Sequence, residues 1–436
     1  MKISEKTRAL CERAEFELKD IFAQIDDIAR KNTEHVLDCF HECEISESHF
    51  APSTGYGCGD RGRDTIDRLA SMIFRAEAGF MRPSLLSGTH TLTVALFGIL
   101  RPGDVMLSIS GMPYDTLRDV LGVGDGCEEG GSLRDFGIGF EKVELSSDRR
   151  EPIDYPAMRE AMKKIGGKLK MVYVQRSKGY ADRPALSTAQ IRRAAYMSAK
   201  FAAELGIARP VFMTDNCYGE FTELYEPCYA PAADELPADI IAGSLIKNPG
   251  GGMADVGGYI VGTPECVHLC GNRLTAPGVG LDIGASLGQN RNLIKGLFYA
   301  PHTTAQALKT AHLAAYIFAE IGLRVDPLWN ETRHDIVQVV ECADPAGLSA
   351  FCLGIQSASP IDGHVIPEAY EMPGYADPVI MAAGAFTGGS SIELSADGPM
   401  KPPYTAFMQG GLTYESSRLA VMSAADRMSD LRNHRA

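Results

Sequence analysis

The apolar positions along the chain fall into two periods. From Ser4 to about Cys43, residues Leu18, Ile21, Phe22, Ile25, Ile28 and Ala29 recur among charges at helical spacing, which predicts an amphipathic helical arm free to pack on its own core or on a second subunit. A glycine-rich loop follows, Ser53-Thr-Gly-Tyr-Gly-Cys-Gly-Asp-Arg-Gly-Arg63. Asp64 is the expected cap of the next helix, which runs through Ile66, Leu69 and Ile73 to about Ala78. Thr91 to Leu100 is an apolar segment of helical length that stops at Pro102-Gly103. From there short apolar runs alternate with helical patterns. Strands are predicted at Val105 to Ile109, Lys170 to Val174, Val211 to Thr214, Asp239 to Ser244 and Val256 to Gly262, with a helix from Thr188 to Leu205. This alternation predicts an α/β fold with a mostly parallel sheet and helices on both faces.

Past Gly262 the pattern changes. The segment through Gly296 is rich in Gly, Leu and Asn and fits neither period. A helix from Thr303 to Ile321, a strand from Asp335 to Val340, a helix from Pro345 to Ile355, a strand from Ser391 to Leu394 and a last helix from Thr413 to Leu431 make a smaller α+β C-terminal domain. The expected division is an N-terminal helical arm over residues 1–50, a large domain over 51–300 and a small domain over 301–436.

Composition narrows the function. A formal net charge of -14 without a Lys/Arg cluster argues against a nucleic-acid partner, because phosphate binding needs a basic face. No apolar run is long enough to cross a bilayer, so no membrane partner is expected. Met1-Lys-Ile-Ser-Glu-Lys6 leads into charged helix rather than a signal peptide's apolar core, and a cytoplasmic location is expected. Eleven cysteines, an odd number without a framework, fit reduced thiols. Cys39-Phe-His-Glu-Cys43 spaces its ligands so that they do not share one helix face, which favours incidental helix residues over a zinc site.

Candidate chemistry gathers at predicted strand ends and helix starts. Lys247 stands in Gly243-Ser-Leu-Ile-Lys-Asn-Pro-Gly-Gly-Gly252, after a buried strand and before glycines that let a ligand approach. Desolvation there lowers a lysine's pKa and frees its amine to attack an aldehyde. Ser87-Gly-Thr-His90 opens the helix before Pro102 with hydroxyls, backbone N–H groups and the positive end of the helix dipole, a phosphate cradle or a simple N-cap. Tyr114 follows a strand's carboxyl end, and Asp215 terminates another. With Ser244 these are the groups that pyridoxal 5'-phosphate requires: a phosphate grip, a stacking face, a carboxylate for the pyridine nitrogen and a lysine for the aldehyde.

The chain also resembles a known family. Thr214-Asp-Asn-Cys-Tyr218, the lysine stretch, Gly257-Gly-Tyr-Ile-Val-Gly262 and Ser87-Gly-Thr-His90 resemble the aluminium-resistance branch of the cystathionine γ-synthase/β-lyase and methionine γ-lyase group, fold type I pyridoxal-phosphate enzymes. Gln175-Arg-Ser-Lys-Gly-Tyr180, Ala300-Pro-His302, Ser391-Ile-Glu-Leu-Ser-Ala-Asp-Gly-Pro399 and Gln409-Gly-Gly-Leu-Thr-Tyr414 extend the likeness from about Phe50 to the last helix. The resemblance implies that Lys247 holds the cofactor's aldehyde and moves protons at the substrate's α-carbon. It gives Asp215 the pyridine nitrogen, Tyr114 the ring face, and Ser87, Gly88, Thr89 and Ser244 the phosphate. It also implies that Tyr56 and Arg63 reach a neighbouring subunit's phosphate, in a homodimer or homotetramer with shared sites.

Two positions depart from the branch. Cys58 stands where Gly-Tyr-Gly-Tyr is usual, so one phenol is missing from the glycine loop. Lys401 stands where arginine is expected; it offers a substrate carboxylate a point charge rather than a bidentate fork. The reading that follows is an enzyme acting on an amino acid, a carbon-sulfur lyase working by β- or γ-elimination. A replacement or carbon-carbon bond-forming reaction is the alternative within enzymes, and a non-catalytic cofactor-binding or regulatory protein the alternative outside them.

Overall fold

The computed structural model describes residues 3–57, 59–124, 130–372 and 377–433, so Cys58 lies outside the described residues. Two compact units emerge: Glu34–Leu245 with Met253–Lys295, and Met1–Thr33 with Ile246–Gly252 and Gly296–Ala436.

The first unit is built on a seven-stranded sheet in the order β1-β7-β6-β5-β4-β2-β3. Its strands are β1 (Ala78–Arg82), β2 (Val105–Ser108), β3 (Gly139–Lys142), β4 (Leu169–Gln175), β5 (Val211–Asp215), β6 (Ile240–Ser244) and β7 (Gly258–Gly262). The neighbours from β3 to β6 pair in parallel. Strand β7 runs antiparallel to both β6 and β1. The expected mostly parallel sheet is therefore present, closed on one side by an antiparallel pair.

Side chains alternate across this sheet, so register decides which residues share a face. Gln175 pairs with Asp215, and Asp215 with Ala242. Tyr173, Met213, Asp215, Ile240, Ala242 and Ser244 consequently lie on one face. The helix Gly88–Ile99 packs there through Leu92, Ala95, Leu96 and Ile99, against Met171, Tyr173, Met213, Ile240, Ala242 and Ile260. Burial of each leucine, isoleucine or methionine in this layer stabilises by about 1.5–3 kcal/mol relative to exposure, and the layer fixes the helix start beside the strand ends.

Gly243, one residue before Ser244, faces the other way. A Cβ on it would come within 2.8 Å of Glu220 Oε1 and 2.7 Å of the Tyr259 ring, so a larger residue is excluded. Tyr259 donates to Glu220 at 2.7 Å, and burial pushes the Glu220 carboxyl up to about 8. Beside this pair the fully buried Arg176 bonds Asn216 at 2.9 Å, Thr222 at 3.0 Å, Glu223 at 2.9 Å and Glu226 at 3.1 Å.

The second unit carries a five-stranded antiparallel sheet in the order β10-β11-β12-β9-β8. Its strands are β8 (Val325–Asp326), β9 (Gln338–Glu341), β10 (Val379–Ala382), β11 (Ser395–Pro399) and β12 (Thr405–Gln409). The helices Pro345–Gln356 and Tyr414–Asn433 share its core through Leu348, Phe351, Ile355, Val421, Met422 and Ala425. The N-terminal helix Glu5–Glu17 joins the same core through Cys11 and Ala14. Glu15 accepts from Arg418 at 2.6 Å and from Tyr414 at 2.9 Å. The start of the expected arm therefore packs on its own chain.

Several boundaries differ from expectation. The arm is two helices, Glu5–Glu17 and Lys19–Glu42. The helix after the glycine loop is Arg61–Phe74, capped by Asp60, whose side chain accepts from Arg63 N, rather than by Asp64. The residues beyond it form β1. The helix expected from Thr303 begins at Asn290 and continues through Pro301. The strand expected at Ser391 to Leu394 is displaced by four residues, to β11 at Ser395–Pro399.

Candidate active site

The parallel strands β2, β4, β5 and β6 end along one edge of the sheet, and the loops that leave them carry the candidate residues. Open α/β sheets bind ligands at this edge because the strand ends leave a crevice lined by loops and helix starts.

Asp215 closes β5 with its carboxylate buried. Tyr173, on β4, donates to Asp215 Oδ2 at 3.3 Å, and the backbone N–H of Cys217 donates to Oδ1 at 3.2 Å. Burial dominates and raises the carboxyl's pKa; the bonds from Cys217 and Tyr173 and the charge of Arg183 oppose it. A buried carboxylate in this state gains from a cation set against it.

Ser244 closes β6 on the same face. Its hydroxyl is buried and has no hydrogen-bond partner among the described residues. Such an orphan costs about 1–3 kcal/mol unless a ligand meets it. The helix Gly88–Ile99 starts beside it, and a Cβ built on Gly88 would stand 3.4 Å from Ser244 Cβ. Ser87 caps this helix by accepting from His90 N at 3.1 Å, and its own hydroxyl hydrogen stays available to donate. Thr89 shares a 2.7 Å hydrogen bond with Thr116. The first N–H groups of a helix have no acceptor inside it and suit a phosphate. Unmet hydroxyl, helix start and a glycine allowing close approach together fit a phosphate group.

Tyr114 precedes the helix Asp115–Leu121, and its N–H donates to Gln175 Oε1 at 2.8 Å. Its ring meets Tyr180 edge-on at 5.4 Å between centroids. Gly179 leaves that ring space, since a Cβ there would lie 3.0 Å from it. Ser87, Gly88, Thr89, Tyr114, Asp215 and Ser244 thus belong to one unit and one sheet edge.

The remaining candidates have their own contacts. Lys247 is three residues past Ser244 along the chain but belongs to the second unit, where its half-buried amine donates to the carbonyl of Ser390. Lys401, also in the second unit, is exposed and paired with Asp377 at 2.5 Å. Arg63 is buried within its own chain, donating to Asp64 at 3.1 Å and the Gly55 carbonyl at 3.4 Å. Tyr56, on the loop so held, is 85% exposed. The sequence reading missed Tyr173 and Cys217 as partners of Asp215. The even spacing of Tyr173 and Gln175 on a strand beside β5 was the available signal.

Among the described residues no helix is long and apolar enough to cross a membrane. Comparison with known proteins places these features in context. The family model described as methionine gamma-lyase matches residues 7–429. YnbB of Bacillus subtilis, a protein without an assigned activity, is 46% identical over 95% of this chain and 94% of its own. A Listeria monocytogenes structure provisionally named a cystathionine beta-lyase involved in aluminium resistance shares 44% identity with a TM-score of 0.89, over 97% of this chain and 100% of that one. A Clostridium novyi structure named a carbon-sulfur lyase involved in aluminium resistance shares 41% identity with a TM-score of 0.89, over 98% and 96% of the two chains. YhfS of Escherichia coli, a pyridoxal-5'-phosphate dependent protein at 14% identity and a TM-score of 0.58 over 92% of this chain and 96% of its own, shares the fold alone.

Proposed function

Because the chain belongs to the methionine gamma-lyase family, whose cofactor is pyridoxal 5'-phosphate, we propose that it is an enzyme cleaving a carbon-sulfur bond of an amino acid by β- or γ-elimination. The family is carbon-sulfur lyase-like and its fold is that of fold type I enzymes. The observation that carries the reading is the shared face of β5 and β6. It presents a buried carboxylate and, beside the start of the helix Gly88–Ile99, a buried hydroxyl without a partner.

In this reading each residue has a defined task. Ser87, Gly88, Thr89 and Ser244 hold the phosphate, Tyr114 offers its ring face, and Asp215 keeps a pyridine nitrogen protonated. Lys247 offers the amine that holds the aldehyde and then takes and returns a proton at the substrate's α-carbon. When bound, the cofactor supplies an electron sink that makes that proton removable. Tyr56 completes a partner subunit's site, and Arg63 serves it by holding the loop. Lys401 supplies a charge for the substrate carboxylate.

The test is a panel assay for keto acid, ammonia and thiol release from methionine, cystathionine and homocysteine, with Lys247→Ala as control. Release of all three products by wild type and not by the variant is expected. Cofactor binding without product from any sulfur amino acid would overturn the lyase assignment.

A further inference from the structure

Residues 383–394 join β10 to β11 in the second unit and hold the segment that carries Lys247. The Lys247 amine donates to the Ser390 carbonyl, and the Ile392 N–H donates to the Ile246 carbonyl at 2.9 Å. The Gly411 N–H donates to the Ile392 carbonyl at 2.7 Å, so residue 392 is bonded both to the lysine segment and to the chain that leaves β12. Gly410 permits this approach, since a Cβ there would stand 2.2 Å from the Glu393 carbonyl oxygen.

The reading above gives Glu393 no task. Its buried side chain turns back on the same loop: Oε2 accepts from the Phe386 N–H at 2.8 Å and Oε1 from the Thr387 N–H at 2.7 Å. Two consecutive backbone donors on one carboxylate make a charge-assisted, two-point grip. Ser390 is anchored in turn, because its hydroxyl donates to the buried Asp397 at 2.6 Å. Between these anchors lie Gly388 and Gly389. Among the described residues nothing beyond their chain neighbours comes within 4 Å of a Cβ built on either, and Gly389 has φ +92°. A glycine pair so lightly packed is costly to order, so residue 390 depends on what fixes the chain on each side of the pair.

We propose that Glu393 is a positioning residue: by gripping residues 386 and 387 it closes the glycine turn and sets the Ser390 carbonyl where the Lys247 amine meets it. The consequence for turnover rests on the task given to Lys247 above; the grip and its hold on the amine stand without it.

The first test needs no cofactor. The full-length chain is treated with acetic anhydride, which forms an amide bond to a lysine nitrogen, expels acetate and releases a proton, and acetylation of each lysine is followed by mass spectrometry. Glu393→Ala should acetylate Lys247 about threefold to tenfold faster than wild type, the share of one hydrogen bond to the amine. Lys309 of the same unit, ion-paired with Asp26 at 2.6 Å, should keep its rate. Glu393→Gln, which retains one acceptor oxygen, should fall between the two, and it carries the same comparison if the alanine variant does not fold. An unchanged rate at Lys247 would overturn the hold on the amine. An equal rise at Lys309 would overturn it too, by showing a general loosening.

The second test uses the loaded enzyme. Glu393→Ala should lower kcat about tenfold and leave KM within about twofold, because the amine is displaced while the substrate's own contacts remain. An unchanged kcat would overturn the link to turnover. Wild type without turnover would instead sink the function proposed above, and acetylation of the cofactor-free chain would still decide the grip.

Discussion

Tyr173 donates its hydroxyl to Asp215 across neighbouring strands, 3.3 Å from Oδ2, with both side chains buried on the face that carries Ser244. The bond opposes the rise in carboxyl pKa caused by burial. Asp215→Asn should still take up cofactor and lose at least about a hundredfold in turnover, because a neutral amide cannot keep the ring nitrogen protonated. Tyr173→Phe should cost less, roughly threefold to tenfold, since it removes one long hydrogen bond and leaves the carboxylate. Steady-state kinetics on cofactor-saturated protein check both, and near-normal turnover in Asp215→Asn would assign the proton to another group.

In the second unit the Lys247 amine donates to the backbone carbonyl of Ser390. Lys247→Ala should abolish the yellow colour of the purified protein and lower turnover by at least about a hundredfold, with partial return on adding a free amine. Visible absorbance surviving intact in the variant would remove this lysine from the site.

Ser244→Ala should separate stability from binding. With the orphaned hydroxyl gone, the apo protein should be unchanged or up to about 1 kcal/mol more stable, while cofactor affinity falls about tenfold. Denaturant unfolding of apo protein and equilibrium dialysis of cofactor report the two effects. A variant that loses stability and keeps its affinity would contradict a phosphate role.

Glu220 predicts a pH dependence of stability. Burial raises its carboxyl from 4.5 to about 8, so the folded chain holds this proton more tightly than the unfolded chain. The resulting stability is complete below about pH 4.5 and is lost as pH climbs through about 8. Glu220→Gln cannot titrate and should lack this component. Between about pH 5 and 8.5 the apparent Tm of wild type should fall relative to the variant by a few degrees, and parallel curves would show that Glu220 does not titrate in this range.

Tyr56 predicts shared sites. Mixing Lys247→Ala with Tyr56→Ala subunits should return about a quarter of wild-type activity, because half of the molecules would be hybrids with one intact site of two. Hybrids that form and stay inactive would place Tyr56 in its own chain's site. Arg63→Ala should instead loosen the glycine loop within its chain, since the Gly55 carbonyl loses its guanidinium partner.

The parts of the fold that were readable are those where local signals and packing agree. The helix Thr188–Leu205 was found to the residue, because Ser187 and Gln190 form a capping box and Gly206 turns left-handed at its end. Asp215 and Ser244 were legible because each ends a short apolar run. The misplaced elements lack such agreement. Strand β11 is Ser-Ala-Asp-Gly-Pro, poor in strand formers, and exists because β10 and β12 pair with it on both sides. Gly296 and Pro301 hid the first turns of the helix Asn290–Glu320. The contact of Tyr173 and Cys217 with Asp215 depends on register and chain reversal, neither of which a single strand's sequence announces.

The four side chains gathered by Arg176 bear on time rather than shape. Connecting segments are ordinarily the first to open, exchanging their amide hydrogens through fluctuations that leave the rest of a domain intact. The segment after β5 has Asn216, Thr222, Glu223 and Glu226 fastened to one guanidinium with no exposed surface. To open it, a buried cation must be stripped of its anions, so amide hydrogens of this loop should exchange as slowly as those of the sheet strand that ends in Asp215.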